Sequence, residues 1–288
     1  MKVSGFTFVR NAIKLGYPAI ESIKSILPIV DEFIVNVGPS EDNTLRLIES
    51  IGDPKIRIIT SSWNENMSTK GFVYGQQKTI AHYNCTGDWA FYIEADEVVH
   101  EDDISRIYDS MKRHLDNPKV EALIFDYIHF YADPWTYIDS PHWYRRAPRI
   151  IRNTLRAYSP DGLFFVVLQS NKKGCYPYSA LTGANMYHYG WVRREDEMNE
   201  KSRLVNKYWG KEPYNISYRD IDPTILRRFR GTHPAIMKEW LLRAQKDFEP
   251  NRDYKPSSRD MKQRLKKKIE DIFGIDLSKK HFRLIRGK

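Results

Sequence analysis

The feature that most limits what this chain can fold into is a short apolar run, Trp89-Ala90-Phe91-Tyr92-Ile93, that stops abruptly at Glu94, Asp96 and Glu97. The run is bounded upstream by Gly87-Asp88, is rich in aromatic residues, and is too short for a buried helix, so it reads as an interior strand. The carboxylates then fall at its C-terminal end. In open α/β sheets ligands bind at the carboxyl ends of strands, and acids clustered there repel one another unless a cation joins them. A solvated turn is the bland reading of the same cluster.

The flanking sequence supports the strand. Val3 to Val9 predicts a first strand, followed by a helix opening at Tyr17-Pro18-Ala19 with Ile20, Ile23, Ile26 and Leu27 on one face. Glu32 to Val37 is a second strand, and it runs into the breakers and capping residues Gly38 to Thr44 before a helix carrying Leu45, Leu47, Ile48 and Ile51. Lys55 to Thr60 is a third strand, Ser61 to Gly71 a polar loop over the sheet, and Tyr74 to Tyr83 a helix carrying Lys78. Three βα units in succession predict a doubly wound, mostly parallel sheet.

Beyond the acidic end, Glu101-Asp102-Asp103 is explained as cap and dipole partner of the next helix. Ala122 to Phe130, Arg149 to Arg152 and Leu163 to Leu168 predict further strands, and Glu195 to Trp209 a charged helix. The aromatic and basic segment Pro134 to Arg146 has two readings, a ring- and oxyanion-binding surface or packing under a long loop. From Ile221 onward the chain is helical in outline, with a basic amphipathic helix over Met261 to Phe273.

A chain of 288 residues, 41% hydrophobic, can bury a large core. Two cysteines, Cys85 and Cys175, are too few for a disulfide framework, and Met1 to Gly5 has no apolar signal region, so a reducing, cytoplasmic setting is expected. No apolar run approaches the roughly 20 residues that cross a bilayer, which leaves only peripheral membrane contact. The net charge of +9 is concentrated at the end: from Arg252 onward there are thirteen Lys or Arg against five Asp or Glu. The body is therefore near neutral, which argues against a general nucleic-acid binder.

Taken in order, these segments resemble family 2 glycosyltransferases of the GT-A fold. The resemblance rests on a first strand ending in Arg10-Asn11, the Val37-Gly38-Pro39-Ser40-Glu41-Asp42-Asn43-Thr44 loop, and Gly87-Asp88-Trp89 leading into Glu94-Ala95-Asp96-Glu97, which looks like the family's DxD motif. Tyr187-His188-Tyr189-Gly190-Trp191-Val192-Arg193 is similar to the late histidine segment of some members, and the match covers roughly residues 3 to 195. It implies a Rossmann-like, mostly parallel α/β sheet flanked by helices. Residues 1–215 would form the transferase domain, with 1–100 as nucleotide-sugar half and 101–215 as acceptor half, and 216–288 a helical, basic extension.

The resemblance further implies a nucleotide-sugar donor, a UDP-sugar first, and a divalent metal. Asp96 would ligate the metal with His188 as second protein ligand, and Glu94 would lie toward the ribose or sugar beside Ala95. Val9, Asn11, Asn36, Gly38 and Asp42 would hold base and ribose, and Lys78 would sit near the phosphates. The acceptor would be a glycan, a lipid-linked molecule or a protein, with no specific nucleic acid.

Physical chemistry supports the same site without the family. As a sugar leaves, the anomeric carbon gains oxocarbenium character and the diphosphate gathers charge that a dication offsets. Carboxylates hold such an ion without neutralising it, and an imidazole ligand favours manganese over magnesium. A packed histidine between two tyrosines is the plain alternative for His188. Glu94 stands where the family usually has Asp, and Asn36 where many members have Asp; either change bears on donor choice. An inverting reaction needs a base for the acceptor hydroxyl; Asp161 is preferred, though Pro160-Asp161-Gly162 is also a turn signal, and Asp126, Asp133, Glu195 and Asp196 are the other candidates.

Two other functions fit parts of the sequence. One is a non-catalytic protein that holds nucleic acid or an anionic membrane through Lys266-Lys267-Lys268, and nucleic-acid affinity lost with salt and on truncation near Pro250 would mark it. The other is a sugar nucleotidyltransferase, which generally needs a glycine- and lysine-rich phosphate loop that Val3 to Asn11 lacks.

Overall fold

The computed structural model of the chain describes residues 1–244 and 248–285; the remainder of the expected extension lies outside the described residues. The first half follows the predicted βα order: β1 (Val3–Val9), α1 (Ala19–Ile26), β2 (Glu32–Val37), α2 (Thr44–Glu49), β3 (Ile56–Thr60), α3 (Phe72–His82) and β4 (Trp89–Tyr92). Then come β5 (Glu97–Val99), α4 (Ile104–Arg113), β6 (Ala122–Tyr131), β7 (Asp133–Ile138) and β8 (Arg146–Arg152). Short strands β9 (Ala157–Tyr158), β10 (Val166–Leu168) and β11 (Gly174–Cys175) make a separate small sheet. The chain continues with β12 (Tyr178–Trp191), α5 (Glu195–Asn206), β13 (Leu226–Arg228), α6 (Lys238–Leu241), α7 (Ser258–Phe273) and β14 (Arg283–Leu284).

Sheet order decides where a ligand can go. β3, β2, β1 and β4 lie side by side and all run parallel. The chain steps outward from β1 to β2 to β3 and then returns across β1 to β4, so the winding reverses between β1 and β4. A crevice opens where winding reverses, at the strands' carboxyl ends; here those ends are Arg10-Asn11 and Ile93 to Asp96. β8 runs against both β4 and β6 and restores the common direction, and β12 lies parallel to β6. The mostly parallel α/β sheet read from the sequence is therefore present.

The core lies between this sheet and its helices. Phe33, Phe91, Ile93, Leu123, Phe125 and Ile150 are all 0% exposed and pack with Ile23 and Ile26 of α1. β4 is buried on both faces, as a central strand of a parallel sheet must be, which is why its sequence is a continuous apolar run without alternation. β12 was not apparent beforehand: Thr182, Gly183 and Asn185 interrupt its apolar pattern, and its pairing shifts register between Leu181 and Asn185.

The last segment is less helical than its sequence pattern. α7 is its one long helix among the described residues, while β13 and β14 each add a short strand to the large sheet. Among the described residues no helix is long and apolar enough to cross a membrane.

Candidate active site

At the β1/β4 reversal lies a cavity of about 290 Å³. Its floor is made by strand ends: Phe8 to Asn11 from β1, and Tyr92, Glu94, Ala95 and Asp96 from β4. His188 and Gly190 of β12 form one wall, and Asp161 to Leu163 another. Lys201, Leu204, Val205, Lys207, Tyr208 and Trp209, from α5 and the turn after it, cover the top. The backbone at Asn11 is left-handed, φ 53°, which asparagine tolerates better than most residues; its amide takes the Ser40 hydroxyl as acceptor, and its Oδ1 accepts from the Glu41 amide.

Arg149 organises the acidic turn. Its fully buried guanidinium grips Glu97 through Nε at 2.9 Å and Nη2 at 2.6 Å, and Nη2 also reaches Glu94 at 2.7 Å. The Tyr127 hydroxyl adds a 2.6 Å bond to Glu97. Glu97 thus has a structural partner on every side and supports the turn. The Glu94 carboxyl is pushed up to about 8, first by burial and then by the charge of Glu97.

Asp96 behaves differently. Burial pushes its carboxyl upward, but the facing cations, Lys201 first, outweigh that and hold it at about 2. Lys201 Nζ lies 3.1 Å from Asp96 Oδ2 and donates to the Gly190 carbonyl at 3.1 Å. The other oxygen, Oδ1, faces His188 Nε2 at 3.8 Å.

A chain of ring contacts fixes which nitrogen of His188 is bare. His129 Nε2 lies 2.8 Å from the Tyr144 carbonyl, which can only accept, so that nitrogen carries the proton. His129 Nδ1 is then an acceptor, and at 3.0 Å it takes the proton of His188 Nδ1. His188 Nε2 is left as a lone pair turned toward the Asp96 carboxylate. Burial lowers the pKa of both rings, which keeps them neutral. A lone pair facing an anionic oxygen is unfavourable without a cation, and a ligand histidine held by a partner on its far nitrogen is the usual metal arrangement. Glu94, Asp96 and His188 each offer a ligand atom within 4.8 Å of the others, so the donor set fits a divalent cation. Gly190 completes the cradle: a Cβ there would lie 2.6 Å from His188 Nε2 and 2.9 Å from Asp96 Oδ2.

The far end of the cavity is aromatic. Trp63, Tyr74 and Tyr208 meet edge to face with centroids 5.4–5.6 Å apart. The Arg10 guanidinium lies 5.0 Å over the Trp63 ring and 2.6 Å from Glu65, which also binds Lys207 and the Tyr208 hydroxyl. These contacts tie the polar loop after β3 to the turn after α5.

Of the residues singled out in the sequence, Val9, Asn11, Glu94, Ala95, Asp96, Asp161 and His188 line the cavity. Four do not. Lys78 is fully buried beneath it, donating to the Gly162 carbonyl between the rings of Tyr92 and Phe165, and burial together with Arg149 lowers its pKa strongly. Asn36 is buried on Gln77 and Ser61. Gly38 is covered by the Trp63 indole, and Asp42 caps the loop by accepting from the amides of Lys14 and Thr44. Glu41, its neighbour, faces the cavity instead.

The other base candidates are engaged elsewhere: Asp126 with Arg146, Asp133 with the Trp135 amide, Glu195 with the Tyr218 amide, and Asp196 with Arg194. Asp161 keeps its turn role, Oδ1 accepting from the Leu163 amide at 3.0 Å, while lining the cavity; burial raises its pKa. The segment 134–146 lines no part of this cavity. Trp143 and Tyr144 pack on His129, and Arg145 pairs with Asp139 and Glu270.

Residues 9–161 match the model described as Glycosyl transferase family 2. Two curated relatives are uncharacterized glycosyltransferases: that of Rickettsia felis is 32% identical over 112 residues, 38% of this chain and 35% of that protein, and that of Rickettsia bellii is 30% identical over 115 residues, 39% and 34%. The matched stretch thus spans about a third of the length of these relatives. Among solved structures, S. aureus TarS aligns with TM-score 0.40 and 16% identity, over 71% of this chain and 39% of that one. Glucosyl-3-phosphoglycerate synthase from Mycobacterium tuberculosis, in complex with Mn2+, UDP and phosphoglyceric acid, aligns with TM-score 0.33 and 19% identity, over 44% and 43%. The family match covers more than half of the residues and runs from the carboxyl end of β1 through β2, β3 and β4 to the acidic strand end and beyond: the chain belongs to glycosyl transferase family 2.

Proposed function

We propose that the protein is a metal-dependent, inverting glycosyltransferase that moves a sugar from a nucleotide-sugar donor, a UDP-sugar first, to an acceptor hydroxyl. The observation that carries this reading is the pairing of an ionised Asp96 with the bare Nε2 of His188 at the floor of the cavity. A divalent cation held by Asp96 and His188, with Glu94 beside them, would supply the positive charge that a leaving diphosphate needs. The imidazole favours manganese over magnesium.

The chain's own groups divide the remaining work. Trp63, Tyr74 and Tyr208 offer faces and edges to a flat base, with Val9 and Asn11 beside them. Lys201 and Lys207 bring cationic charge over the cavity from α5 and its following turn. Asp161, whose raised pKa makes it a better proton acceptor than an ordinary aspartate, takes the acceptor hydroxyl's proton as that oxygen attacks. In this reading residues 1–100 carry most of the donor contacts and residues 101–215 the acceptor side.

The test is donor binding by calorimetry and donor hydrolysis with manganese across a panel of nucleotide sugars. At least one donor binds and is slowly hydrolysed, and Asp96→Asn abolishes the metal-dependent part of both. Absence of binding by every donor, or an Asp96→Asn protein that binds metal and donor like the parent, refutes the mechanism.

A further inference from the structure

Helix α7 rests on the protein by its polar side. Arg264 forks onto Asp222 with two contacts of 2.8 Å, Lys267 reaches Asp139 at 3.0 Å, Gln263 accepts from Ser140 at 2.9 Å, and Glu270 meets Arg145 at 2.8 Å. Positions 263, 264, 267 and 270 recur at helical spacing and define one inward face. A surface helix ordinarily turns its apolar stripe inward and its charges to water. Here the order is reversed.

The outward face carries Met261, Leu265 and Ile272, which are 56%, 60% and 74% exposed and spaced by four and seven residues. Half-buried Ile269 lies between them, and Phe273 beside them is 69% exposed. Ile275 and Leu277 continue the exposed apolar surface past the helix end. Exposed Lys268 flanks the stripe on one side, and exposed Lys262 and Lys266 on the other. The helix's acids lie away from it: Asp260 bonds the Ser257 amide, Glu270 faces inward, and Asp271 pairs with Lys267.

We propose that α7 is a membrane-docking helix that lies in the interface of a bilayer bearing anionic lipids. The charge pattern selects this occupant. A second copy of the chain on the same face would bring lysine rows against lysine rows, and a nucleic acid would leave the apolar stripe unburied. A bilayer answers both parts, with acyl chains for the stripe and anionic headgroups for the flanking lysines. No residue of α7 lines the cavity, so docking stands or falls independently of the donor chemistry.

The experiment is flotation of the full chain with vesicles of phosphatidylcholine alone or mixed with phosphatidylglycerol. The protein floats with the mixed vesicles, less so as salt rises. Leu265→Glu with Ile272→Glu lowers the bound fraction by about tenfold or more, with melting temperature, circular dichroism and donor hydrolysis in solution unchanged. Failure of the parent to float with the anionic vesicles overturns the proposal, as does undiminished flotation of the double variant. A parent dimer in light scattering that the double variant splits, without vesicle binding, assigns the face to self-association instead.

Discussion

Arg149→Met tests how the acidic turn is held. The substitution keeps most of the side-chain volume but leaves Glu97, which is 0% exposed, with the Tyr127 hydroxyl and no cation, and it removes the counter-charge of Glu94. Breaking a buried pair by removing one partner costs about 3–5 kcal/mol. For a chain of this size each kcal/mol shifts the melting temperature by roughly 2–4 °C, so the variant melts roughly 6–20 °C below the parent. The loss is also pH-dependent through Glu94. Its carboxyl is already raised from 4.5 to about 8 with Arg149 in place, and removing that cation raises it further. Above pH ~8 the folded parent gives up this proton while the folded variant keeps it, so the variant's deficit grows as pH rises through that range. Calorimetric melts at pH ~6 and pH ~9 measure both effects. A deficit of under about 2 °C, or one identical at both pH values, refutes the claim that Arg149 offsets the charge of the turn.

Two further perturbations separate positioning from packing. His129→Phe removes the acceptor that holds the His188 proton on Nδ1, so manganese affinity, read by electron paramagnetic resonance titration, falls about 10–100-fold while the fold is retained; unchanged affinity sinks the ring-chain argument. Asp222 anchors α7 and is held at about 2 chiefly by Arg264. Its folded value is depressed from 3.8, so the stabilisation is present above pH ~4 and lost as pH falls through about 2. The parent's melting temperature exceeds that of Asp222→Asn at neutral pH and converges with it in acid; a gap that ignores pH contradicts the assignment.

Much of the first half was legible because its physics is local. A strand buried on both faces reads as a near-continuous apolar run, as β4 does outright and β1 and β2 do with a few polar residues among them, and acids at its end stand out. The rest of the site came from residues whose partners are distant in sequence. Arg149 and His129 looked like strand members; the signal that could have found them is that a lone cation or imidazole within an apolar strand must find a buried partner. α5 read as a charged surface helix because its cavity-facing residues, Lys201, Leu204 and Val205, are few among many charges. Lys78 and Asp42 lie outside the cavity lining for the opposite reason. Their charge suggested a ligand, but Lys78 is spent on a carbonyl and two rings, and Asp42 on two loop amides.

The cavity is divided between early and late sequence. The family match ends at residue 161, whereas His188, Lys201, Tyr208 and Trp209 all come later. Residues up to 161 thus supply the floor of strand ends, and residues after 161 supply the roof and one wall. Exchanging residues 162–209 as one block would therefore replace the roof and that wall while leaving the strand-end floor in place.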